Sequence, residues 1–181
     1  FGAIGGAWIV SEESWMQDLK PVLSFTKFRG SYGSAGSDQI GDYGYLDTYS
    51  ATPGGGGLYP TQLTNPIYSW ERNRKLELAA ELGFLNDHLR LNTSWYRNRS
   101  SNQLVGYNLP AITGFSSVQA NLDATVENTG WEFEVATHLN RGRFNWQASL
   151  NMSIPQNRLI AFPGIDESSY ANIYKVGKSL N

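Results

Sequence analysis

The chain has 181 residues, 40% hydrophobic and 17% charged, with 13% aromatics, 19 glycines, a formal net charge of −2 and no cysteine. That excludes a disulfide framework and a thiolate metal site, and gives no electrostatic basis for binding nucleic acid or an anionic membrane surface. Charge is below the ~25% usual for soluble domains, and the blend of aromatics, glycine and uncharged polar residues suits β-structure.

Residues 1–11 (FGAIGGAWIVS) are glycine-rich and read as a kinked strand. Residues 12–21 form a connection punctuated by Pro21, and 22–35 read as a second strand, with Phe28 and Tyr32 set against Lys27, Arg29 and Ser31. Residues 36–70 are expected to form a long loop containing Gly54-Gly55-Gly56-Gly57 and Pro60. Then Leu76, Leu78, Ala80, Leu82 and Phe84 alternate with Glu77, Ala79, Glu81 and Gly83. Good helix formers and the i, i+4 pair Glu77/Glu81 make this stretch equally readable as helix. Its context decides for strand: Asn86-Asp87 is a two-residue hairpin signal, and Leu89, Leu91, Thr93 and Trp95 alternate cleanly after it. Residues 103–125 are expected as a second long loop. Two further strands follow, with Trp131, Phe133, Val135, Thr137 and Leu139 on one face of the first, and Phe144, Trp146, Ala148, Leu150, Met152 and Ile154 on one face of the second. Asn140 to Arg143 form a tight turn between them, and 160–181 open a third long loop.

The expectation is therefore all-β: about six antiparallel strands, each roughly 11–14 residues, joined alternately by short and long connections. Period-2 patterning alone also fits a soluble sandwich. Three features favour a transmembrane barrel. The strands exceed the soluble mode of ~5–6 residues and reach the ~9–11 that hydrocarbon requires. Trp95, Tyr96, Trp131, Phe144 and Trp146 lie near strand ends, where interfacial girdles form. One face is nearly uncharged, while the other carries Glu77, Glu81, Arg90, Glu132, Glu134 and His138. Six strands cannot close a spanning barrel, and an open edge in lipid is costly. The chain is thus expected to be a fragment that pairs with more polypeptide, its export signal lying elsewhere.

Glu77/Glu81 and Glu132/Glu134 resemble acid/base pairs, but a water-facing wall explains them better, and no catalytic residue is assigned. His88 and His138 lack ligand spacing, so no metal or cofactor is expected. Gly2, Gly5 and Gly6 make no dinucleotide fingerprint, and Gly54–Gly57 lacks the Lys-Ser/Thr of a phosphate loop. The formal glycosylation sequons at Asn92, Asn98 and Asn151 fall on predicted strands.

An ordered series of segments resembles the barrel of SusC/RagA-type TonB-linked (TonB-dependent) transporters of Bacteroidetes. It runs through Phe1–Trp15, Phe28–Gly41 (FRGSYGSAGSDQIG), Tyr43–Tyr49 (YGYLDTY), Trp70–Tyr96 with its GFLNDHLRL, Leu109–Phe115 (LPAITGF), Val126–Glu134 (VENTGWEFE) and Phe144–Ile154 (FNWQASLNMSI). The resemblance implies a complete barrel of about 22 strands in the bacterial outer membrane. It also implies an N-terminal plug and a TonB-contact segment, neither in this chain, a SusD-like surface lipoprotein as lid, and import of oligosaccharides or oligopeptides. The long loops near 36–70, 103–125 and 160–181 would then be extracellular. Their aromatics Tyr43, Tyr45, Tyr49, Tyr59, Tyr107 and Phe115 are the candidates for cargo contact, since rings stack on sugar faces or hold peptide side chains. Asp166, Glu167 and Tyr170 are candidates for meeting the lid. The competing readings are a soluble carbohydrate-binding β-sandwich and, on the Glu pairs alone, a glycoside hydrolase.

Overall fold

The computed structural model describes residues 1–37, 43–115, 117–141, 144–168 and 170–180. Six strands form one antiparallel sheet: β1 (Gly2–Ile9), β2 (Leu23–Ser37), β5 (Glu71–Phe84), β6 (Leu89–Asn108), β7 (Ser117–Arg141) and β8 (Phe144–Ala161), in the order β1-β2-β5-β6-β7-β8. A separate hairpin, β3 (Thr48–Ala51) with β4 (Leu58–Gln62), sits within the β2–β5 connection. Each sheet strand pairs with the next one in the chain, apart from that hairpin.

The register brings the apolar sets onto one face. One row across the sheet reads Trp8, Phe28, Ala80, Thr93, Phe133, Met152; the next toward the long connections reads Gly6, Gly30, Leu78, Trp95, Trp131, Ile154. Nothing covers this face among the described residues: Leu150 is 68% exposed and Leu78 52%. A sandwich would bury it. From Phe144 to Ile154 the apolar positions of β8 span ten residue steps, about 33 Å along the strand and about 25 Å in height at a tilt of ~40°, the height of an outer-membrane lipid belt.

The strands differ from the sequence-based expectation at their ends. β6 and β7 continue through most of the expected 103–125 loop, pairing Gln103 with Leu122 and Asn108 with Ser117. Val105, Tyr107 and Val118 favour extended backbone, so this loop is a projecting hairpin that leaves only 109–116 as its tip. At Ser101/Gln103 a register shift, with Asn102 at φ 59, interrupts the ladder at the base of this hairpin. β1 is a straight ladder ending at Ile9, followed by 3₁₀ turns Val10–Glu12 and Ser14–Leu19. The tight turn signalled by Asn86-Asp87 spans residues 85–88, as expected: Phe84 pairs with Leu89, and Leu85, Asn86 and Asp87 all have positive φ. Ser24 secures it, its Oγ donating to Asp87 Oδ1 (2.9 Å) and accepting from Asp87 N–H (3.0 Å). Of the tight turn expected at 140–143, Asn140 and Arg141 belong to β7, and residues 142–143 lie outside the described residues.

After β8 the chain doubles back on the free edge of that strand. Leu159 N–H donates to Lys178 C=O (2.9 Å), and Leu159 C=O accepts from Gly177 N–H (2.8 Å). Phe162, Tyr170, Tyr174 and Leu180 gather on Leu159, Ala124 and Val126 in a small apolar core. Val126 and Leu159 have the parity of Asn128 and Asn157, so this segment folds over the polar face of the sheet.

Candidate functional site: the inward polar wall and its loops

The face opposite the apolar belt holds the polar partners of every alternating run. Its cations and anions meet across strands. Lys27 Nζ lies 3.2 Å from Glu81 Oε1. The Arg29 guanidinium bridges Glu77 (3.3 Å) and Glu81 (3.5 Å). One strand further, Asn92 Nδ2 donates to Glu134 Oε2 (3.0 Å) and Ser94 Oγ to Glu132 Oε2 (3.3 Å). The four glutamates are thus held by cations, amides and hydroxyls, the arrangement of a hydrated wall.

Two open troughs run along this face. One of about 340 Å³ lies over Arg29, Glu81, Asn92, Glu132, Glu134 and Asn151. The other, about 850 Å³, extends toward the long connections over Lys75, Tyr96, Asn98, Asn128, Asn157 and Ser179. Asn157 Nδ2 donates to Asn128 Oδ1 (2.6 Å), and Asn157 Oδ1 accepts from Leu180 N–H (3.2 Å), which ties the folded-back segment to the upper trough. A wall of amides, hydroxyls and paired charges offers hydrogen-bond donors and acceptors along its length.

Tyr96 belongs to this wall and not to the interfacial girdle expected of it. It alternates with Trp95, and only Trp95, paired with Trp131, faces outward. Tyr96 instead lies over Gly130, where a Cβ would come within 2.6 Å of its hydroxyl. The glycine makes room for the ring.

The six loop aromatics do not form one cluster. Tyr49 is opposite Pro60 and Tyr59 opposite Ser50, so Tyr49 and Tyr59 project from opposite faces of the β3–β4 hairpin. Tyr49 Oη donates to Asp47 Oδ2 (2.9 Å); that hydrogen bond, the carboxylate's charge and slight desolvation raise the phenol pKa. Tyr43 and Tyr45 are exposed. Tyr43 has φ 57, and Tyr45 C=O accepts from Asn65 N–H (3.0 Å) and Thr64 Oγ1 (3.1 Å). Phe115 is at the tip of the β6–β7 hairpin, half-buried beside Thr113. Tyr107 is on β6; its side chain lies outside the described residues. Among the described residues, ring contacts join Phe162 to Tyr170 and Tyr170 to Tyr174, both at 6.0 Å. Of that trio only Tyr170 drew notice in the sequence. Spacings of four and eight residues fit one face of a helix, but the described residues of 162–180 form only a 3₁₀ turn, so the aromatic content of the segment is the signal that the sequence offers.

The structure brings His88 and His138 to one corner, with His138 N–H donating to His88 C=O (2.9 Å). Among the described residues no three His, Cys, Asp or Glu side chains gather as metal ligands.

Residues 14–179 match the family model "TonB dependent receptor-like, beta-barrel". The chain is 31% identical over 173 residues to TonB-dependent receptor P26 of Formosa agariphila, covering 92% of this chain and 17% of that one. It is 31% identical over 189 residues to TonB-dependent receptor P39 of the same organism, covering 99% and 18%. Its fold matches the structure of the RagAB peptide transporter with TM-score 0.77 at 24% identity, over 91% of this chain and 18% of that one. The chain therefore spans under a fifth of the length of these relatives. The unclosed sheet, its lipid-facing belt and its polar inner wall are part of an outer-membrane barrel, and the chain belongs to the TonB-dependent receptor-like β-barrel family.

Proposed function

We propose that this chain is a wall segment of a TonB-dependent outer-membrane importer that takes up oligopeptides or oligosaccharides together with a SusD-like surface lipoprotein. The observation that carries the reading is the division of one sheet into a face with a broad apolar belt and a face of paired charges and amides, Lys27–Glu81 and Asn92–Glu134 among them. Lipid on one side and a hydrated passage on the other account for both. The long connections, 38–70, 109–116 and 162–180, leave one end of the sheet and are the extracellular end in this reading. Tyr43, Tyr45, Tyr49 and Tyr59 on the first, Phe115 on the second and Tyr107 at the end of β6 are the cargo contacts of this reading. Asp166 and Glu167, in a 3₁₀ turn on the third, meet the lid protein in this reading, and Tyr170, also expected there, packs against Phe162 and Tyr174. The TonB contact and the plug belong to other parts of the complete protein.

The test is uptake by cells carrying or lacking the full-length gene. Labelled oligopeptide and oligosaccharide mixtures are supplied with and without a working TonB. Loss of uptake of one class in the deletion, matched by the TonB-deficient strain, is the expected result. Unchanged uptake of both classes overturns the reading.

A further inference from the structure

The outward surface of β5 to β8 changes character in one step. Leu78, Trp95, Trp131 and Ile154 make the last apolar row, and beyond it toward the long connections the same face becomes basic. Arg97 is one position above Trp95 on that face. The next row sets Arg74, Arg99, Glu127 and Arg158 side by side on four adjacent strands, and Arg72 is one position higher on β5. The registers of β5–β6, of β6–β7 below Ser101 and of β7–β8 beyond Val126 are continuous, so all six share the face of the belt. The patch is about 14 Å wide and about 13 Å tall.

Five guanidiniums meet one carboxylate here. Arg99 Nε is 2.6 Å from Glu127 Oε2. The guanidiniums of Arg72, Arg74, Arg97 and Arg158 have no acidic partner among the described residues. Arg74 and Arg99 are directly opposite each other, a placement that repels. The inner face treats its cations differently, matching Lys27 and Arg29 to Glu77 and Glu81. Lys75 on the inner face is without an ion pair among the described residues, but the unpaired guanidiniums gather on the outer face, immediately above the lipid belt, at the depth fixed by the Trp95–Trp131 pair. Unpaired guanidinium forks at headgroup level match phosphate oxygens in geometry and charge.

We propose that this rim binds the phosphate groups of lipid headgroups in the outer leaflet. The choice of leaflet rests on the proposed extracellular placement of the long connections. The bound phosphates neutralise the rim and fix the height of this wall in the membrane.

The test uses the full-length protein extracted from outer membranes in mild detergent. Phosphorylated lipid retained per protein is measured by intact mass spectrometry and phosphorus content. Wild type is compared with Arg74→Gln/Arg97→Gln/Arg158→Gln, with the same three sites changed to Lys, and with inward-facing Lys75→Gln. Heat-modifiable mobility on gels checks that each barrel has assembled. Retained lipid is expected to fall by about five-fold per guanidinium removed, to fall less in the Lys variant, and to stay unchanged in Lys75→Gln. Equal retention by wild type and the Gln variant overturns the proposal, as does equal loss in Lys75→Gln. Should the Gln variant not assemble, single Arg97→Gln replaces it under the same criteria. Displacement of the lipid by inorganic phosphate at equal concentration assigns the site to free phosphate and overturns the lipid assignment. Ile112, 96% exposed at the hairpin tip, tests the leaflet separately. Labelling of Ile112→Cys by an impermeant maleimide in intact cells supports the outer leaflet. Failure to label overturns the orientation, whereas labelling with unchanged lipid retention overturns the phosphate rim alone.

Discussion

Asn121 grips the backbone of Ser69 at both of its polar groups: its Oδ1 accepts from Ser69 N–H at 2.9 Å, and its Nδ2 donates to Ser69 C=O at 2.6 Å. Asn102 completes the clamp, donating to Ser69 Oγ (2.7 Å) and Trp70 C=O (3.0 Å). The end of the long β2–β5 connection is thereby fastened to the projecting β6–β7 hairpin. Asn121→Ala removes both bonds to Ser69, at a cost of about 1–2 kcal/mol to the docked loop. Limited proteolysis within residues 43–68 of the full-length protein should accelerate about five- to thirty-fold, with global heat stability nearly unchanged. An unaltered cleavage rate would show that the clamp does not hold the loop.

The two faces of β8 predict opposite responses to the same side chain. Leu150 is in the middle of the apolar belt, and Asn151 faces the inner trough. Leu150→Arg should destabilise the full-length barrel by about 2–4 kcal/mol, the midplane cost of a cation facing lipid. Asn151→Arg, beside Glu134 across the strand, should cost under about 1 kcal/mol. Denaturant midpoints in lipid vesicles measure both. Equal destabilisation would contradict the assignment of faces.

Most of the sheet was legible because the lipid belt imposes strict alternation on β5 to β8, and alternation is visible in a single sequence. Even Lys75–Phe84, whose composition suits a helix, resolves on this basis. Glu77 and Glu81 are not helical neighbours but flank Arg29 on the adjacent strand, at 3.3 and 3.5 Å, and cross-strand partners override propensity. The ends of β6 and β7 were not legible, since above the belt both faces are wet and the hydrophobic period fades. Two features depended on the register between paired strands. The opposition of Tyr49 and Tyr59 follows from a one-residue offset in their hairpin, and the Arg74–Arg99–Glu127–Arg158 row from four separate strands. The inward fold of 162–180 rests on Leu159 pairing with residues 177–178, which no local pattern announces.

The Tyr96–Gly130 pair gives a steric prediction on the inner wall. A Cβ at residue 130 would come within 2.6–2.8 Å of three Tyr96 ring and hydroxyl atoms. Gly130→Val must therefore swing Tyr96 off the wall and into the upper trough, at about 1–3 kcal/mol. The double variant Gly130→Val/Tyr96→Ala should recover part of that loss, because the clash is gone. If the double variant is less stable than Gly130→Val by the full cost of removing Tyr96, the two side chains are not in contact.

Tyr49 and Asp47 provide a titration that reads the β3–β4 hairpin directly. The Tyr49 hydroxyl donates to Asp47, and the carboxylate disfavours a phenolate beside it, so the phenol pKa lies above its ordinary value of 10.0. A raised folded-state pKa means the interaction is fully present below the ordinary phenol pKa and is lost as pH climbs through the raised value. Asp47→Asn removes the charge while leaving an acceptor, and should move the Tyr49 titration back down toward 10. Ultraviolet difference absorbance of wild type, Asp47→Asn and Tyr49→Phe, the last identifying the signal, measures the shift. Coincident curves for wild type and Asp47→Asn would mean that Asp47 does not hold the Tyr49 hydroxyl in solution.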